Sequence, residues 1–255
     1  MPSISKRVNF LTFFWGRKYT DDHVEILFRA LNEYCDFNFE FHVITDRLLE
    51  VDHRIYQYEL WNDYAKEKKC WRRMKVFKKH TMSFLPHYFA LDLDILILPG
   101  FPELVRKVYD NDFTLCLAEN PAWPDSPYSG TMWQVGDLGK IEVIWDEFNR
   151  LIKEPRNLPL KQLSQNLKKK GFDGSDSAVM GLCFKGKTVP VMGSRDGIIS
   201  YIFHIKNTGR LDLPDGARVV LFHGQGNDFM RKDMATKYGF VNEYLNKFKY
   251  GKGGM

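Results

Sequence analysis

Two aspartates interrupt an otherwise apolar stretch of the sequence, and they constrain the fold more than any other feature. Asp92 and Asp94 lie within residues 88–98, where every other side chain is aliphatic or aromatic. An apolar run of this length predicts a buried strand. Side chains two positions apart in a strand point to the same face, so the two carboxylates are expected to converge while Leu91 and Leu93 face a core.

Two carboxylates in such a strand predict a cation beside them. Burying a carboxylate without a counter-charge is costly, and a divalent cation is the simplest partner for two that converge. Hard oxygen ligands favour Mg²⁺, Mn²⁺ or Ca²⁺, and two protein ligands leave coordination positions open for phosphate groups. The D-x-D pattern is also short and common, but the apolar flanks of Asp92 and Asp94 disfavour its alternative, a solvated loop.

Composition narrows the class of protein. A chain of 255 residues with 44% hydrophobic and 15% aromatic residues fits one folded domain with a sizeable core. The four cysteines are widely spaced and form no C-x-x-C pair, which disfavours a zinc site and favours a reducing compartment. The N-terminus does not resemble a signal peptide, and no apolar stretch approaches the ~18 residues of a membrane span. We therefore expect a cytoplasmic protein.

The charge pattern predicts an anionic membrane, but not nucleic acid, as a partner. The formal net charge is +5, and no nucleic-acid-binding motif is present, so we expect no nucleic-acid partner. Lys247, Lys249 and Lys252 make the C-terminal tail basic. Such a tail predicts peripheral contact with an anionic membrane, which co-sedimentation with anionic liposomes tests.

Alternating strand and helix patterns predict an α/β fold with a mostly parallel, Rossmann-like central sheet flanked by helices. The predicted strands are Val8–Phe14, Phe39–Thr45, 88–98, Phe113–Ala118, Thr131–Val135 and Val219–His223. The predicted helices are Asp21–Tyr34, Arg72–Phe84, Glu103–Tyr109, Lys140–Lys153 and Lys232–Phe248. Ligands of such sheets lie at the carboxyl ends of the strands, where Asp46, the D-x-D pair and His223 fall.

Six segments, in order along residues 4–230, resemble glycosyltransferases of the GT-A fold, in particular the glycogenin-like group and its bacterial relatives. They are Leu11–Tyr19, Trp71–Phe77, the D-x-D strand Leu91–Leu98, Tyr128–Met132, Gly174–Ser177 and Val220–Gly224. The resemblance implies a single GT-A domain over residues 1–255, with a core at 4–230 and a basic C-terminal helix and tail at 231–255.

The resemblance also implies roles for individual residues. Asp92, Asp94 and His223 would bind Mn²⁺ or Mg²⁺ on the diphosphate of a nucleotide-sugar, and Asp176 would be the catalytic acidic residue. The implied donor-binding residues are Thr12, Tyr19, Asp46, Arg73, Asp92, Leu93, Asp94, Ser129, Gly130, Asp176, His223 and Gly224. Of these, Thr12, Tyr19 and Asp46 would lie near the nucleoside, and Ser129 and Gly130 would line the sugar pocket. Each also has a structural interpretation: His223 as a core histidine, Asp176 as a helix cap, and Arg73 as part of a basic helix face.

Three departures from the family pattern bear on donor binding. Tyr128 and Ser177 stand where the family has Asn and Gln. The segment after His223 lacks the family's diphosphate-binding lysine, and Gln225, Asn227 and Arg231 are the candidates to replace it.

The function that the resemblance implies is a metal-dependent, retaining transfer of a sugar. The donor would be a nucleotide-diphosphate sugar, with UDP-sugars favoured, and the acceptor a hydroxyl of a glycan or glycoconjugate. Two alternatives stay open at this point: a non-catalytic nucleotide-sugar-binding module of the same fold, and a phosphatase of the haloacid-dehalogenase type. The phosphatase is disfavoured because its D-x-D normally lies near the N-terminus, whereas two predicted strands precede Asp92.

Overall fold

The computed structural model describes residues 7–61, 70–85, 87–111, 113–120, 128–153, 158–184, 189–224 and 227–251. Gln225 and Lys252 lie outside these residues. The described chain alternates strands and helices, as the sequence predicts.

The strands form two sheets. The strands are β1 (Val8–Phe14), β2 (Phe39–Thr45), β3 (Ile55–Glu59), β4 (Tyr88–Leu91), β5 (Ile95–Ile97), β6 (Leu115–Glu119), β7 (Tyr128–Val135), β8 (Val191–Met192), β9 (Ile198–Ser200) and β10 (Val219–Leu221). The larger sheet has the order β3-β2-β1-β4-β7-β6-β8, and the smaller one has the order β5-β10-β9. The seven-stranded sheet is mixed but mostly parallel, which confirms the predicted α/β class.

Helices flank the strands. The α-helices are α1 (Asp21–Tyr34), α2 (Phe101–Asp110), α3 (Leu138–Lys153), α4 (Leu160–Lys169), α5 (Asp176–Cys183), α6 (Lys232–Lys237) and α7 (Gly239–Leu245). A 3₁₀ helix spans Cys70–Phe77, and π-helical turns span Tyr201–Lys206 and Asn246–Tyr250. None of the described helices combines the length and the apolar composition that crossing a membrane requires.

The chain divides into two compact units. The first comprises Met1–Glu59, Leu91–Asn111 and Gly193–Met255. In it β1, β2 and β3 pair in parallel, with Phe14 opposite Thr45 at the carboxyl ends of β1 and β2. Helix α1 covers this part of the sheet through Phe28, whose ring centroid lies 5.7 Å from that of Phe41.

The second unit comprises Leu60–Ala90 and Asp112–Met192. Its strand β6 pairs antiparallel with β7 and parallel with β8. The buried Trp71 ring of the 3₁₀ helix stacks on Phe148 of α3 at 5.7 Å, and Phe77 packs on Trp133 of β7. These aromatic contacts fix the 3₁₀ helix, which carries Arg73. The single domain predicted for residues 1–255 stays a prediction.

The D-x-D segment differs from the single strand that the apolar run predicts. Strand β4 ends at Leu91, Asp92–Asp94 leave the extended conformation, and β5 begins at Ile95 in the smaller sheet. The chain therefore changes sheets at the two aspartates. An apolar pattern cannot reveal such a switch, because both strands are buried on both faces and are apolar throughout.

Two predicted helices are also shorter than expected. The helix predicted at Arg72–Phe84 is a 3₁₀ helix that ends at Phe77, and His80 that follows has a positive φ of 65°. A left-handed residue cannot continue a right-handed helix. The helix predicted at Lys232–Phe248 is interrupted at Tyr238, which adopts an extended conformation between α6 and α7.

Candidate active site

The smaller sheet brings Asp94 and His223 to the same edge of the first unit. Strand β10 pairs antiparallel with β5, with Leu221 opposite Ile95. One residue further, the Phe222 amide donates to the Asp94 carbonyl at 2.9 Å. The ladder thus extends beyond both strands, so the last residue of D-x-D lies beside the residue that precedes His223.

The Asp94 carboxylate is buried, and one of its oxygens lacks a partner. Its side chain is only 4% exposed, and Oδ2 accepts a hydrogen bond from Lys18 Nζ at 2.7 Å. Within the described residues Oδ1 is buried without a hydrogen-bond partner. An unsatisfied carboxylate oxygen is costly in the interior, so this atom is placed for a ligand that brings positive charge. Of its neighbours, Leu93 is buried and Asp92 is half-buried.

The imidazole of His223 is held by two side-chain contacts. Its Nε2 lies 2.7 Å from the Ser200 hydroxyl, and its ring stacks on Phe203. Burial lowers the pKa of His223 below its usual value although the negative charge of Asp94 opposes this, so the imidazole is neutral at pH 7. In the tautomer whose Nε2–H donates to Ser200, Nδ1 would keep the lone pair that coordination requires.

The donor set fits a hard divalent cation in part. Among the residues that the structure describes, no three His, Cys, Asp or Glu side chains are grouped so that they hold a metal ion. Asp92, Asp94 and His223 are therefore not gathered into a finished ligand set. The unpartnered Asp94 oxygen and the neutral His223 nevertheless supply the oxygen and nitrogen donors that Mn²⁺ accepts, and oxygen alone suits Mg²⁺.

Lys18 belongs to this cluster, although no local pattern in the sequence predicts it. Its ammonium contacts Asp94, donates to Tyr19 Oη at 2.6 Å and contributes to the lowered pKa of Asp228. That pKa is raised by burial, but it is lowered overall by hydrogen bonds from His23 and the Met230 amide and by the charges of His23 and Lys18. In the sequence, nothing distinguishes Lys18 from other charged residues in turns.

Two predicted nucleoside-binding residues support the backbone around β1. Thr12 is fully buried and donates its hydroxyl to the Leu91 carbonyl at 2.7 Å, which ties β1 to the start of D-x-D. Asp46 accepts the Gly16 amide at 2.8 Å, in a turn where Gly16 has a φ of +70°. Both contacts organise the carboxyl ends of the strands, where ligands of parallel sheets bind.

The second unit holds another buried charge pair. Arg73 Nε donates to Asp176 Oδ2, and both side chains are almost completely buried. Asp176 opens α5 behind the N-cap Ser175, whose hydroxyl accepts the Ser177 amide. The structure thus corrects the capping alternative for Asp176, because Ser175 is the cap.

The surroundings of the Arg73–Asp176 pair combine polar and aromatic groups. Asp176 Oδ1 is buried without a hydrogen-bond partner in the described part of the chain. The Arg73 guanidinium lies 5.2 Å from the Trp133 ring, a cation–π contact. Burial raises the pKa of the Cys70 thiol well above its ordinary value, and the adjacent Asp176 carboxylate raises it further, so this neighbour stays uncharged.

Strand β7 brings the predicted sugar-pocket residues to the same pair. The Gly130 amide donates to the Ser177 hydroxyl at 2.8 Å, so Ser177, which replaces the family's Gln, joins β7 to α5. Ser129 is half-buried, and its hydroxyl lies 2.8 Å from that of Thr131.

Replacing Gly130 with alanine is expected to strain this cluster. A Cβ at Gly130 would lie 2.5 Å from Arg73 Nη2 and 3.0 Å from Asp176 Oδ2. We expect Gly130→Ala to lower the free energy of unfolding by about 1–3 kcal/mol, as overpacked cores do, measured by urea denaturation. Gly239→Ala is the matched control, because a Cβ there meets nothing within 4 Å. Equal stability of the two variants would contradict the prediction.

Structural comparison relates the fold to solved glycosyltransferases. The galactosyltransferase LgtC, solved with donor and acceptor sugar analogs, is 13% identical with a TM-score of 0.61, and the match covers 97% of this chain and 98% of LgtC. The bifunctional glycosyltransferase WbbM is 10% identical with a TM-score of 0.62, over 99% of this chain and 51% of WbbM. The glycosyltransferase GlyE of Streptococcus pneumoniae is 10% identical with a TM-score of 0.56, over 96% of this chain and 64% of GlyE.

Comparison by sequence gives no further relatives, because no family model and no curated protein matches the chain. At sequence identities of 10–13%, the structural likeness shows a shared fold and nothing more. The three matches each cover at least 96% of this chain. The chain has the GT-A fold of these glycosyltransferases.

Proposed function

We propose that the chain is a metal-dependent glycosyltransferase that moves a sugar from a nucleotide-diphosphate sugar, with UDP-sugars favoured, to a hydroxyl of a glycan or glycoconjugate. The observation that carries this proposal is the buried Asp94 carboxylate, with one unpartnered oxygen, beside a neutral histidine at the D-x-D turn. The GT-A fold and the donor and acceptor sugar analogs bound by LgtC support the substrate class. Retention of the anomeric configuration is part of the proposal on family resemblance.

In the first unit, Asp92, Asp94 and His223 would hold Mn²⁺ or Mg²⁺. The cation would act as a Lewis acid that offsets the negative charge on the departing nucleoside diphosphate. Asp94 offers the unpartnered Oδ1, and Ser200 holds the ring of His223, whose Nδ1 would be the coordinating atom when Nε2–H donates to the serine hydroxyl. Gly224, with a φ of +93°, turns the chain directly after His223.

Around them, the remaining donor-binding residues of this unit have supporting roles. We propose that Tyr19 and Asp46 lie near the nucleoside, that Thr12 acts through the Leu91 carbonyl that it binds, and that Leu93 anchors the turn in the core. Each role is consistent with its contacts, since Tyr19 is half-buried and Asp46 is exposed beside the Gly16 turn.

In the second unit, Asp176 would recognise the transferred sugar. The Arg73 guanidinium binds Oδ2 and fixes the orientation of the carboxylate, so the unpartnered Oδ1 can accept a hydrogen bond from a sugar hydroxyl. A fixed carboxylate also stabilises positive charge that develops on the sugar ring in the transition state. Ser129 and Gly130 would line the same sugar pocket.

Membrane contact through the basic tail stays a prediction. Two of the lysines on which it depends are paired with carboxylates of the protein. Lys247 pairs with Glu33 of α1 at 2.6 Å, and Lys249 pairs with Asp22 at 3.0 Å. These two ammonium groups already have carboxylate partners within the protein, which weakens their attraction for an anionic surface.

A donor panel tests the proposed function. We would incubate the protein with Mn²⁺, a glycan mixture and each common nucleotide-sugar in turn, and quantify the nucleoside diphosphate released. We expect release from one donor that EDTA abolishes and that excess Mn²⁺ restores. Donor binding in calorimetry without release from any donor would favour the non-catalytic module, and neither binding nor release would contradict both.

A further inference from the structure

The charge balance around Asp94 requires a cation besides the divalent metal. A nucleotide-sugar brings negative charge on both phosphates, whereas one divalent cation balances only the carboxylates of Asp92 and Asp94. Lysine and arginine commonly bind charged phosphate oxygens. A residue of the chain itself is therefore expected to supply positive charge to the diphosphate.

Two sequence-based candidates for this charge are committed to other contacts. Asn227 is buried and donates its amide to the His223 carbonyl at 2.9 Å, so it supports the turn and carries no charge. Arg231 binds Asp233 through Nε and Nη2 at 2.9 and 2.8 Å. That bidentate pair uses the face of the guanidinium that a phosphate would need.

Lys18 has the position and the freedom that this role requires. Its Nζ lies 2.7 Å from Asp94 Oδ2, and it packs over the Tyr19 ring at 4.5 Å. The lysine side chain is 54% exposed, whereas the Asp94 side chain is 4% exposed. The carboxylate is thus fixed in the interior, and the ammonium reaches it from solvent on a flexible stem that can move away.

We propose that Lys18 is an exchangeable counter-ion: its ammonium group pairs with Asp94 in the absence of ligands and with the diphosphate of the donor when the donor is bound. Without ligands, Lys18 neutralises the buried carboxylate. With a divalent cation bound to Asp94, the Lys18 ammonium would be repelled from the carboxylate and would pair with the phosphate oxygens. The role rests on the proposed function, since it assumes a donor with a diphosphate.

Two binding measurements on Lys18→Met test this role without turnover. Mn²⁺ affinity is measured by electron paramagnetic resonance in the absence of nucleotide, and UDP affinity by calorimetry in saturating Mn²⁺. We expect Mn²⁺ to bind about three- to tenfold more tightly to the variant, because the competing charge is gone. We expect UDP to bind at least about tenfold more weakly, since a charge-assisted contact is lost. Lys18→Arg should keep UDP affinity within about threefold.

Opposite shifts in the two affinities distinguish this role from damage to the fold, which would weaken both. Lys247→Met is the matched control, because Lys247 is also half-exposed and paired with a carboxylate, and we expect it to change neither affinity. Unchanged Mn²⁺ affinity in Lys18→Met, or a loss of both affinities, would overturn the role of Lys18 alone. A wild-type protein that binds neither Mn²⁺ nor UDP would overturn the proposed function as well.

Discussion

Replacing Asp176 with asparagine is expected to lower the free energy of unfolding by about 3–5 kcal/mol, the usual cost of removing one member of a buried ion pair. The side chain of Asp176 is 1% exposed and that of Arg73 is 8% exposed. Asparagine keeps the volume but not the charge, so the buried guanidinium would lose the counter-charge of Asp176. Urea denaturation measures the loss.

A double variant separates the structural role of Asp176 from its proposed catalytic role. Arg73→Met combined with Asp176→Leu removes both charges, and buried ion pairs replaced by apolar residues often keep or gain stability. We expect the double variant to recover most of the lost stability, while nucleoside-diphosphate release stays at least about 100-fold below that of the wild type. Recovery of release together with stability would show that the pair is only structural.

Asp173 provides the control within the same turn. Its carboxylate accepts hydrogen bonds from the Ser175 amide and hydroxyl, both through Oδ1. Burial raises the pKa of Asp173 although the hydrogen bonds from Ser175 oppose it, so neutralising this group is less costly than neutralising a charge-paired one. Asp173→Asn should therefore cost less than about 1 kcal/mol, measured in the same way.

Local patterns were sufficient for elements whose signals lie within one segment. The sequence predicts β1, α1 and β2 with the observed bounds, since apolar alternation marks the strands and Thr20-Asp21-Asp22 marks the start of the helix. Helix α4 was missed although Leu160, Leu163, Ser164 and Leu167 are buried at helical spacing. That signal was present, but it is short and lies in a polar segment.

The candidate site was less predictable because its decisive contacts join distant parts of the chain. Strand periodicity predicted that Asp92 and Asp94 converge, but the chain leaves the strand at Leu91 and enters another sheet at Ile95. The partner of Asp94 is Lys18, 76 positions away in sequence. Pattern and propensity describe neighbours along the chain, so neither the sheet switch nor this ion pair has a local signal.

Replacing Asp94 with asparagine is expected to change the stability of the protein little and its activity strongly, whereas Asp176→Asn is expected to lower the stability strongly. Both carboxylates are buried and each pairs with one cation, but Lys18 is 54% exposed, whereas Arg73 is 8% exposed. Lys18 returns to water when Asp94 loses its charge, so we expect the free energy of unfolding to change by less than about 1 kcal/mol. Asparagine also removes a buried charge whose Oδ1 has no partner among the described residues, which offsets part of the loss.

The effect of Asp94→Asn on activity should be large despite this small effect on stability. A neutral amide is a much poorer ligand for Mn²⁺ than a carboxylate, so we expect nucleoside-diphosphate release to fall on the order of 1,000-fold and to become insensitive to EDTA. Asp228→Asn is the control, because Asp228 also carries negative charge near Lys18 but is not a proposed ligand; it should retain release within about tenfold. Equal losses in the two variants would show that local negative charge, and not coordination by Asp94, supports the reaction.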